Sequence, residues 1–370
     1  MTSFHRKTCK ALFTSACVIV VAFMVGYWLY KFKVEDRDIG VVDYVPLKDA
    51  KEIKFPLVSW CLNDPFIDEK LKANNSSITS ESYRQYLEGK IYDKSYEQID
   101  YSNVTIDLNQ YLFAGKIWWR NGTYRMIDSN NINFIETFSG FYFQTFFKCY
   151  TMDFIVDEQR NLKKVAALLN RTRINSDWQG KPSVVRYVVH YPGQFLLLKQ
   201  IEIIHTINLH RDGATGISII KVEIMKQRNS RNRKCSKDVG NYDDTIVDKI
   251  LQKTGCRPPY LYSHKPYPQC EIQKDIRESR IDTLARERIE LPKACERISE
   301  VRKTLKISYL KNWALTINYP EEVKIITQSQ DVDVHSLIGN IGGYLGLFLG
   351  KPIFCTSCYL MMLCIIQMKF

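Results

Sequence analysis

The sequence predicts an α+β protein in which two membrane-spanning helices flank a large disulfide-bonded domain with a β-sheet core and peripheral helices. Three observations support this fold class. Each end of the 370-residue chain carries a long apolar segment. Six cysteines, an even number, lie between the two segments. The chain between them contains several runs of alternating or β-branched apolar residues, which are typical of strands.

The first apolar segment, residues 11–31, is the predicted first transmembrane helix. Its first 20 residues carry no charge, and roughly 20 helical residues cross the hydrocarbon core of a bilayer. A signal peptide has a shorter apolar run that ends at a small-residue cleavage site, and no such site follows Trp28. Basic residues precede the segment, so residues 1–10 are expected to be a short cytosolic N-terminus.

The second apolar segment, residues 336–368, contains one charged residue, Lys351, and leaves residues 369–370 as the C-terminus. Its first half is rich in glycine, and three of these glycines are spaced four apart. On a helix they form a smooth stripe, which lets helices in a bilayer approach closely and exposes backbone carbonyl groups. Each glycine costs about 1 kcal/mol relative to alanine inside a helix. The pattern therefore predicts a segment that packs against copies of itself in lipid. The five glycines are Gly339, Gly342, Gly343, Gly346 and Gly350.

Two spans place both termini in the cytosol and residues 32–335 outside the cell. Asparagines that begin N-x-[ST] triplets, the acceptors of N-glycosylation, agree with this topology; they are Asn74, Asn75, Asn103, Asn121 and Asn170. The even number of cysteines suits an oxidising compartment; they are Cys61, Cys149, Cys235, Cys256, Cys270 and Cys295. The cysteines in or beside the spans are expected to be free; they are Cys9, Cys17, Cys355, Cys358 and Cys364.

Periodicity predicts the elements of the extracellular domain. The strand candidates are residues 54–61, 134–156, 184–190, 195–209, 216–225, 314–319 and 323–327. Helix signals, such as acidic residues in a first turn, a glycine stop or charge pairs four apart, occur in residues 157–170, 243–254 and 271–306. A domain of this length is large enough to bury its own core.

The net charge of +12 does not point to nucleic acid. The predicted compartment is wrong for it, and the sequence contains no known nucleic-acid-binding module. The densest basic run, Lys226–Lys237, is interpreted as a solvated loop or as a docking surface for an acidic ligand. The histidines have no metal-ligand spacing, so structural or surface roles are expected for them. No metal or cofactor is predicted.

Four stretches of the chain resemble the degenerin and epithelial sodium channel superfamily (DEG/ENaC, the amiloride-sensitive sodium channels). Residues 55–66, FPLVSWCLNDPF, are similar to the family signature FP-x-V-x-x-C-N-x-N-x-F. Residues 147–151, FKCYT, are similar to its G-x-CYTF stretch. Residues 241–260 resemble the beginning of its thumb region. Residues 319–350, which run from YPEE to LIGNIGGYLGLFLG, resemble the final strand and second pore helix.

The resemblance implies a hand-like ectodomain above a threefold pore in the plasma membrane, in a homotrimer or a heterotrimer with related subunits. The conducted ion would be sodium or another monovalent cation, and membrane lipid would surround the spans. The residues implied in the pore and filter are Asn340, Gly342, Gly343, Gly346, Gly350 and Lys351, with Ser336 near the gate. Asn340 occupies a position where the family usually has aspartate, and a hydrogen bond between helices is an equal alternative for it.

The resemblance also implies that Cys61 pairs with Cys149. For the other four cysteines the expected arrangement is nested, with Cys256 and Cys270 paired inside a bridge between Cys235 and Cys295. Four cysteines allow three connectivities, so the sequence leaves this pairing open. The thumb region contains fewer cysteines than is usual in the family.

The chain departs from the family at its filter. The family has Gly-x-Ser, whereas this chain has Gly350-Lys351-Pro352. Three lysines facing a narrow pore would repel cations by several kcal/mol. The alternatives are therefore a conducting subunit in which Lys351 points away from the axis and a non-conducting or modulatory subunit. The cytosolic His-Gly pair of the family is also missing, because His5 is followed by Arg6.

An enzyme is the remaining hypothesis. A short basic tail, one anchor and a glycosylated domain also describe a type II lumenal glycosyltransferase, and Asp331-Val-Asp333 is a D-x-D triplet that would suit a metal and nucleotide. This triplet directly precedes the second apolar segment, which is the wrong context for a catalytic site. We therefore expect the protein not to be an enzyme. The ATP site of ATP-gated trimeric channels has no match here.

Overall fold

The computed structural model is a sheet-rich mixed α and β protein with a long apolar helix at its N-terminus. The structure describes residues 2–51, 54–127, 132–142, 145–154, 159–177, 184–195, 207–208, 214–230, 233–236, 242–261, 266–270, 275–276, 294–308 and 312–349.

The long helices lie at the two ends of the described chain, and shorter ones lie between them. The helices are α1 (Thr2–Tyr30), α2 (Asp68–Asn74), α3 (Ser80–Leu87), α4 (Lys94–Glu97), α5 (Tyr101–Val104), α6 (Arg171–Asp177), α7 (Tyr242–Thr254) and α8 (Val334–Leu349). A π-helical turn, Lys31–Glu35, follows α1, and 3₁₀ turns span Leu108–Tyr111 and Gln159–Asn161.

The described residues between the end helices include thirteen strands. They are β1 (Asp38–Pro46), β2 (Leu57–Asn63), β3 (Leu112–Trp119), β4 (Tyr124–Ile127), β5 (Ile132–Tyr142), β6 (Thr145–Phe154), β7 (Leu162–Leu169), β8 (Val184–His190), β9 (Ile207–Asn208), β10 (Ala214–Lys226), β11 (Glu296–Ser308), β12 (Trp313–Asn318) and β13 (Glu322–Gln330).

The strands form two sheets. The eight-stranded sheet has the order β1-β13-β10-β12-β7-β3-β4, with β11 paired to β10, and the five-stranded sheet has the order β5-β6-β2-β8-β9. Neighbouring strands pair antiparallel in β2 with β6 and β8, β3 with β4 and β7, β5 with β6, β7 with β12, β8 with β9 and β10 with β11, whereas β10 pairs parallel with β12. The chain forms two compact units. Unit 1 is Met1–Val41, Gln227–Cys235 and Thr327–Phe370, and unit 2 is the remainder.

The main core of unit 2 is built from both sheets. Trp60 and Tyr187 from the five-stranded sheet and Ile117, Ile317 and Trp313 from the eight-stranded sheet belong to one buried cluster. Trp60 is fully buried. Burying a large apolar side chain contributes roughly 1.5–3 kcal/mol, so this cluster stabilises unit 2. It explains why inward-facing positions in the strands alternate with polar ones.

A second core lies beneath the short helices and is rich in aromatic residues. The rings of Tyr83, Tyr86 and Tyr96 stack on one another, with the closest centroids, those of Tyr86 and Tyr96, 5.1 Å apart. Local hydrogen bonds begin these helices. Thr79 forms a capping box with Ser82 at the start of α3, which satisfies backbone N–H groups that a short helix leaves unpaired.

The predicted helix over residues 157–170 is wrong. Its described part is a 3₁₀ turn followed by strand β7, which pairs with β3 on one side and β12 on the other. The run LKKVAALL consists mostly of good helix formers. Two flanking strands supply hydrogen-bond partners and bury Val165 and Ala167 in the core, so tertiary pairing overrides local propensity.

The predicted helix over residues 271–306 is wrong at its C-terminal end, where β11 pairs with β10 along twelve register positions. Alternation in this strand is concealed by its charges and by two register shifts, after Ile219 and after Glu223 of β10. Ile298, Val301 and Leu305 pack against the main core. Of residues 271–293, only 275–276 are among those described.

The other element predictions agree with the structure where it describes them. The strands predicted at residues 54–61, 134–156, 184–190, 216–225, 314–319 and 323–327 correspond to β2, β5 with β6, β8, β10, β12 and β13. The helix predicted at 243–254 is α7. The strand predicted at 195–209 is described only at its ends, and Ile207–Asn208 forms β9.

Candidate functional site

The glycine-rich helix α8 begins immediately after Asp333. The backbone N–H of Ser336 donates a 2.6 Å hydrogen bond to Oδ1 of Asp333, so this carboxylate caps the helix. Hydrogen bonds from the Ser336 side chain and backbone lower the pKa of Asp333. The D-x-D triplet considered for an enzyme therefore serves here, at Asp333, as a helix cap. Among the described residues no group of three or more His, Cys, Asp and Glu is arranged to hold a metal.

The four described glycines of α8 lie on one face of the helix. At 100° per residue, Gly339, Gly342, Gly343 and Gly346 fall within an arc about 100° wide. A Cβ atom added at any of these positions would meet nothing within 4 Å. Leu337, about 170° around the helix from the centre of this arc, is buried. We call the arc defined by these four glycines the glycine face.

Helix α1 packs against α8 within unit 1. Its segment Thr14–Glu35 is long and apolar enough to cross a membrane. The buried side chains of α1, Cys17 and Val21, are four residues apart and share one face, while Ile19 and Phe23 are 68% and 73% exposed. Such exposure of large apolar side chains is typical of lipid-facing surfaces. Cys17 is a free thiol, as predicted.

A cluster of charges that no local sequence pattern predicts lies at the end of α1. The guanidinium group of Arg228 forms ion pairs with Asp36 and with Asp38, and its Nη2 lies 2.8 Å from Oδ1 of Asp38. Nη1 of Arg233 lies 3.5 Å from Oδ2 of Asp38. Asp36 closes the π-helical turn in a left-handed conformation, with φ of 40°. The basic run therefore contacts carboxylates of its own chain through Arg228 and Arg233.

The predicted pore residues are only partly brought together in a single chain. Ser336 is exposed and lies about 70° from the centre of the glycine face. Asn340 is half-buried and lies about 110° from the centre of this face. Gly350, Lys351 and the remainder of the second apolar segment, with its three cysteines, lie outside the described residues.

The disulfide predictions concern six cysteines of the domain between the two helices. Cys61 is bonded to Cys149 across β2 and β6, which matches the pairing that the resemblance implied. Cys256 is bonded to Cys270, the inner pair of the expected nested arrangement. Cys235 and Cys295 are also disulfide-bonded. Their sequence neighbours Ser236 and Ala294 form an isolated parallel β-bridge through their backbones.

The five predicted glycosylation asparagines are all exposed. At Asn75 and Asn121, the side-chain oxygen accepts a hydrogen bond from the hydroxyl group two residues later. At Asn170, the same oxygen accepts from the backbone N–H of Arg173 and caps α6. Exposure fulfils one requirement for glycosylation, whereas the use of these sites stays a prediction.

His190 is the buried end of a chain of polar side chains across the five-stranded sheet. Its Nε2 lies 2.6 Å from Ser59 Oγ, which lies 2.5 Å from Thr151 Oγ1, and its Nδ1 lies 2.7 Å from the carbonyl oxygen of Tyr191. Donation from Nδ1 to that carbonyl leaves Nε2 as an acceptor of the Ser59 hydroxyl, a neutral tautomer. This arrangement agrees with the structural role expected for His190.

Burial lowers the pKa of His190 to about 4 from its ordinary value of 6.5. Between pH 6.5 and pH 4, His190 is protonated in the unfolded chain and neutral in the folded chain. Lowering the pH through this range therefore stabilises the unfolded state relative to the folded state. We expect the free energy of unfolding to fall by roughly 3 kcal/mol between pH 7 and pH 4 on account of this residue. Urea unfolding of the wild type and His190→Gln across this range measures the contribution. Parallel pH profiles for the two proteins would contradict it.

Comparison with known proteins gives little further information. No family model matches the chain, and no curated protein matches it. Among solved structures, the chain is similar to a cryo-EM structure of a proton-activated chloride channel, with a TM-score of 0.31 and 8% sequence identity over 95% of each chain. A likeness of this size carries no argument about function.

Proposed function

We propose that the chain is a subunit of a cation channel in the plasma membrane, in which α1 and the segment that begins with α8 both cross the bilayer. The single observation that carries the proposal is the glycine face of α8, which no atom of the described chain covers. An apolar helix that packs one side against α1 and leaves a smooth glycine face open is suited to meeting copies of itself.

Three copies meeting at this face would form the pore. The glycine face brings the backbones close to the threefold axis, so carbonyl groups replace part of the hydration shell of an ion. Ser336, about 70° from the centre of the face, would lie near the extracellular end of the axis. Asn340, at about 110°, would lie between neighbouring helices, a position that favours its role as an interhelical hydrogen-bonding residue.

Sodium is the ion that the resemblance to the DEG/ENaC superfamily implies, and the sequence also supports a second candidate. Lys351, which follows the last glycine, would place three positive charges near the axis if it faced the pore. Repulsion of several kcal/mol in a low-dielectric pore would stop cations. A non-conducting or modulatory subunit of a heterotrimer is therefore the alternative.

Electrophysiological recording separates these functions. The chain is expressed in oocytes alone, together with a full-length DEG/ENaC relative, and as the variant Lys351→Ser/Pro352→Ser. We expect a sodium current from the chain alone if it conducts, and current only from the variant or the mixture if it is modulatory. A surface-expressed chain that changes no current in any of these conditions would contradict the channel proposal.

A further inference from the structure

The side of the eight-stranded sheet that faces away from the main core carries a row of aromatic, basic and polar side chains. Neighbouring register positions align Tyr124 with Trp118, Trp118 with Lys164, Lys164 with Asn318, and Asn318 with Ser218. The adjacent row in the strands is Ile117, Val165, Ile317 and Ile217, which belongs to the buried core. Since side chains alternate between the two faces of a sheet, the polar row faces away from that core.

Two further lysines flank this row. Lys116 on β3 and Lys306 on β11 are the ends of a second row, whose intervening residues are Ala166, Thr316 and Gly216. Four strand spacings, roughly 19 Å, separate the backbones of the two lysines. The residues between the two lysines have small side chains, so the sheet surface is shallow there. We call Lys116, Lys164, Lys306, Trp118 and Tyr124 the basic track.

The basic track concentrates positive charge beside flat aromatic rings. Nζ of Lys116 lies 3.9 Å from the centroid of the Tyr124 ring and 5.1 Å from that of Trp118, and Nζ of Lys164 lies 4.5 Å from Trp118. Tyr124 is 62% exposed. These cation–π contacts hold the ammonium groups in place without neutralising them.

The charge of the basic track has no counterpart within the described chain. Among the residues that the structure describes, no carboxylate forms an ion pair with Lys116, Lys164 or Lys306. Burial, and then the like charges of Lys116 and Lys306, lower the pKa of Lys164. By contrast, Lys324 nearby on β13 pairs with Glu223 at 2.6 Å. Unpaired like charges at this spacing attract a bound polyanion.

We infer that the basic track binds a sulfated polysaccharide that lies across the strands. Sulfate groups along such a chain would meet the three lysines in turn, and sugar rings would rest on the flat faces of Trp118 and Tyr124. The strands that carry the three lysines extend over roughly 19 Å, which suits a linear polyanion that crosses several strands. Basic patches that bind heparin follow the same electrostatic logic. The inference goes beyond the proposed channel function and shares with it only an extracellular location.

Heparin binding by the purified full chain in detergent, measured by calorimetry at several salt concentrations, tests the inference. In Lys116→Gln/Lys164→Gln/Lys306→Gln we expect at least tenfold weaker binding and a slope of log Kd against log salt that is lower by about two to three. The matched control, Lys70→Gln/Lys72→Gln/Lys94→Gln, removes the same charge from exposed positions on α2 and α4 and is expected to bind as the wild type does. Trp118→Leu retains every charge, so it should weaken binding several-fold and leave the slope unchanged.

Several outcomes would overturn the inference. They are absence of heparin binding by the wild type, equal weakening in both triple variants, and equally tight binding of single-stranded DNA. A lower oligomeric mass of the basic-track variant would also overturn it, because the track would then be an interface between copies. The assay uses no membrane current, so its failure is distinguishable from failure of the proposed channel function.

Discussion

Replacing Gly346 by leucine is expected to abolish the assembly of the chain into trimers. The position lies on the open glycine face of α8, where an added side chain meets nothing within its own chain. A leucine would meet the neighbouring helices, and overpacking costs about 1–3 kcal/mol per site. Three copies bring three such sites to the axis. Because leucine is a better helix former than glycine by up to about 1 kcal/mol, the loss would not come from a weaker helix.

Gly26 provides the matched control. It is a glycine of α1, and an added Cβ there also meets nothing within 4 Å. Gly26→Leu is therefore expected to assemble as the wild type does, and Gly346→Ala is expected to show an intermediate loss. Mass measurements in a gentle detergent give the trimer fraction of each protein. Equal assembly of Gly346→Leu and wild type would show that the glycine face is not the contact between subunits.

Removing the disulfide between Cys61 and Cys149 is expected to destabilise the protein more than removing the one between Cys256 and Cys270. The first closes a separation of 88 residues and the second a separation of 14. A longer closed loop restricts the unfolded chain more, which gives about 4–5 kcal/mol for the first bridge and about 3 kcal/mol for the second.

Double alanine variants at each pair, compared by urea unfolding under oxidising conditions, measure this difference. Cys17→Ala is the control for loss of a buried thiol without loss of a bridge, since Cys17 is free. It is expected to change the free energy of unfolding by less than either double variant. A larger loss from the Cys256 and Cys270 variant would contradict the chain-entropy explanation, because the shorter loop would then dominate.

The sequence predicted those elements whose local pattern agrees with their tertiary environment. Strand β8 is a run of β-branched residues, and α7 has acidic residues in its first turn and a glycine after its end, so both were predictable. Strand β7 was not, because its alanines, leucines and lysines favour a helix and only its neighbours β3 and β12 make it a strand. Strand β1 was not predicted, because nearly all of its side chains are exposed and it lacks the alternation of a half-buried strand.

The candidate site was predictable in part. Glycine spacing alone indicated the stripe of α8, since helical periodicity needs no tertiary information. The sequence does not show that the glycine face is open or that the opposite residue, Leu337, is buried. Both follow only from the tertiary structure, in which α1 packs against α8. The pairing of Arg228 with Asp36 and Asp38 joins residues about 190 positions apart. The basic track likewise depends on the register of six strands, which no local pattern contains.

The location of the C-terminus tests the central claim most directly, because the channel proposal requires the chain to cross the membrane a second time after α8. Epitope tags are placed at both ends of the full chain, and antibody binding is compared in intact and permeabilised cells. We expect both tags to be reached only after permeabilisation. A C-terminal tag that is reached on intact cells would contradict the account.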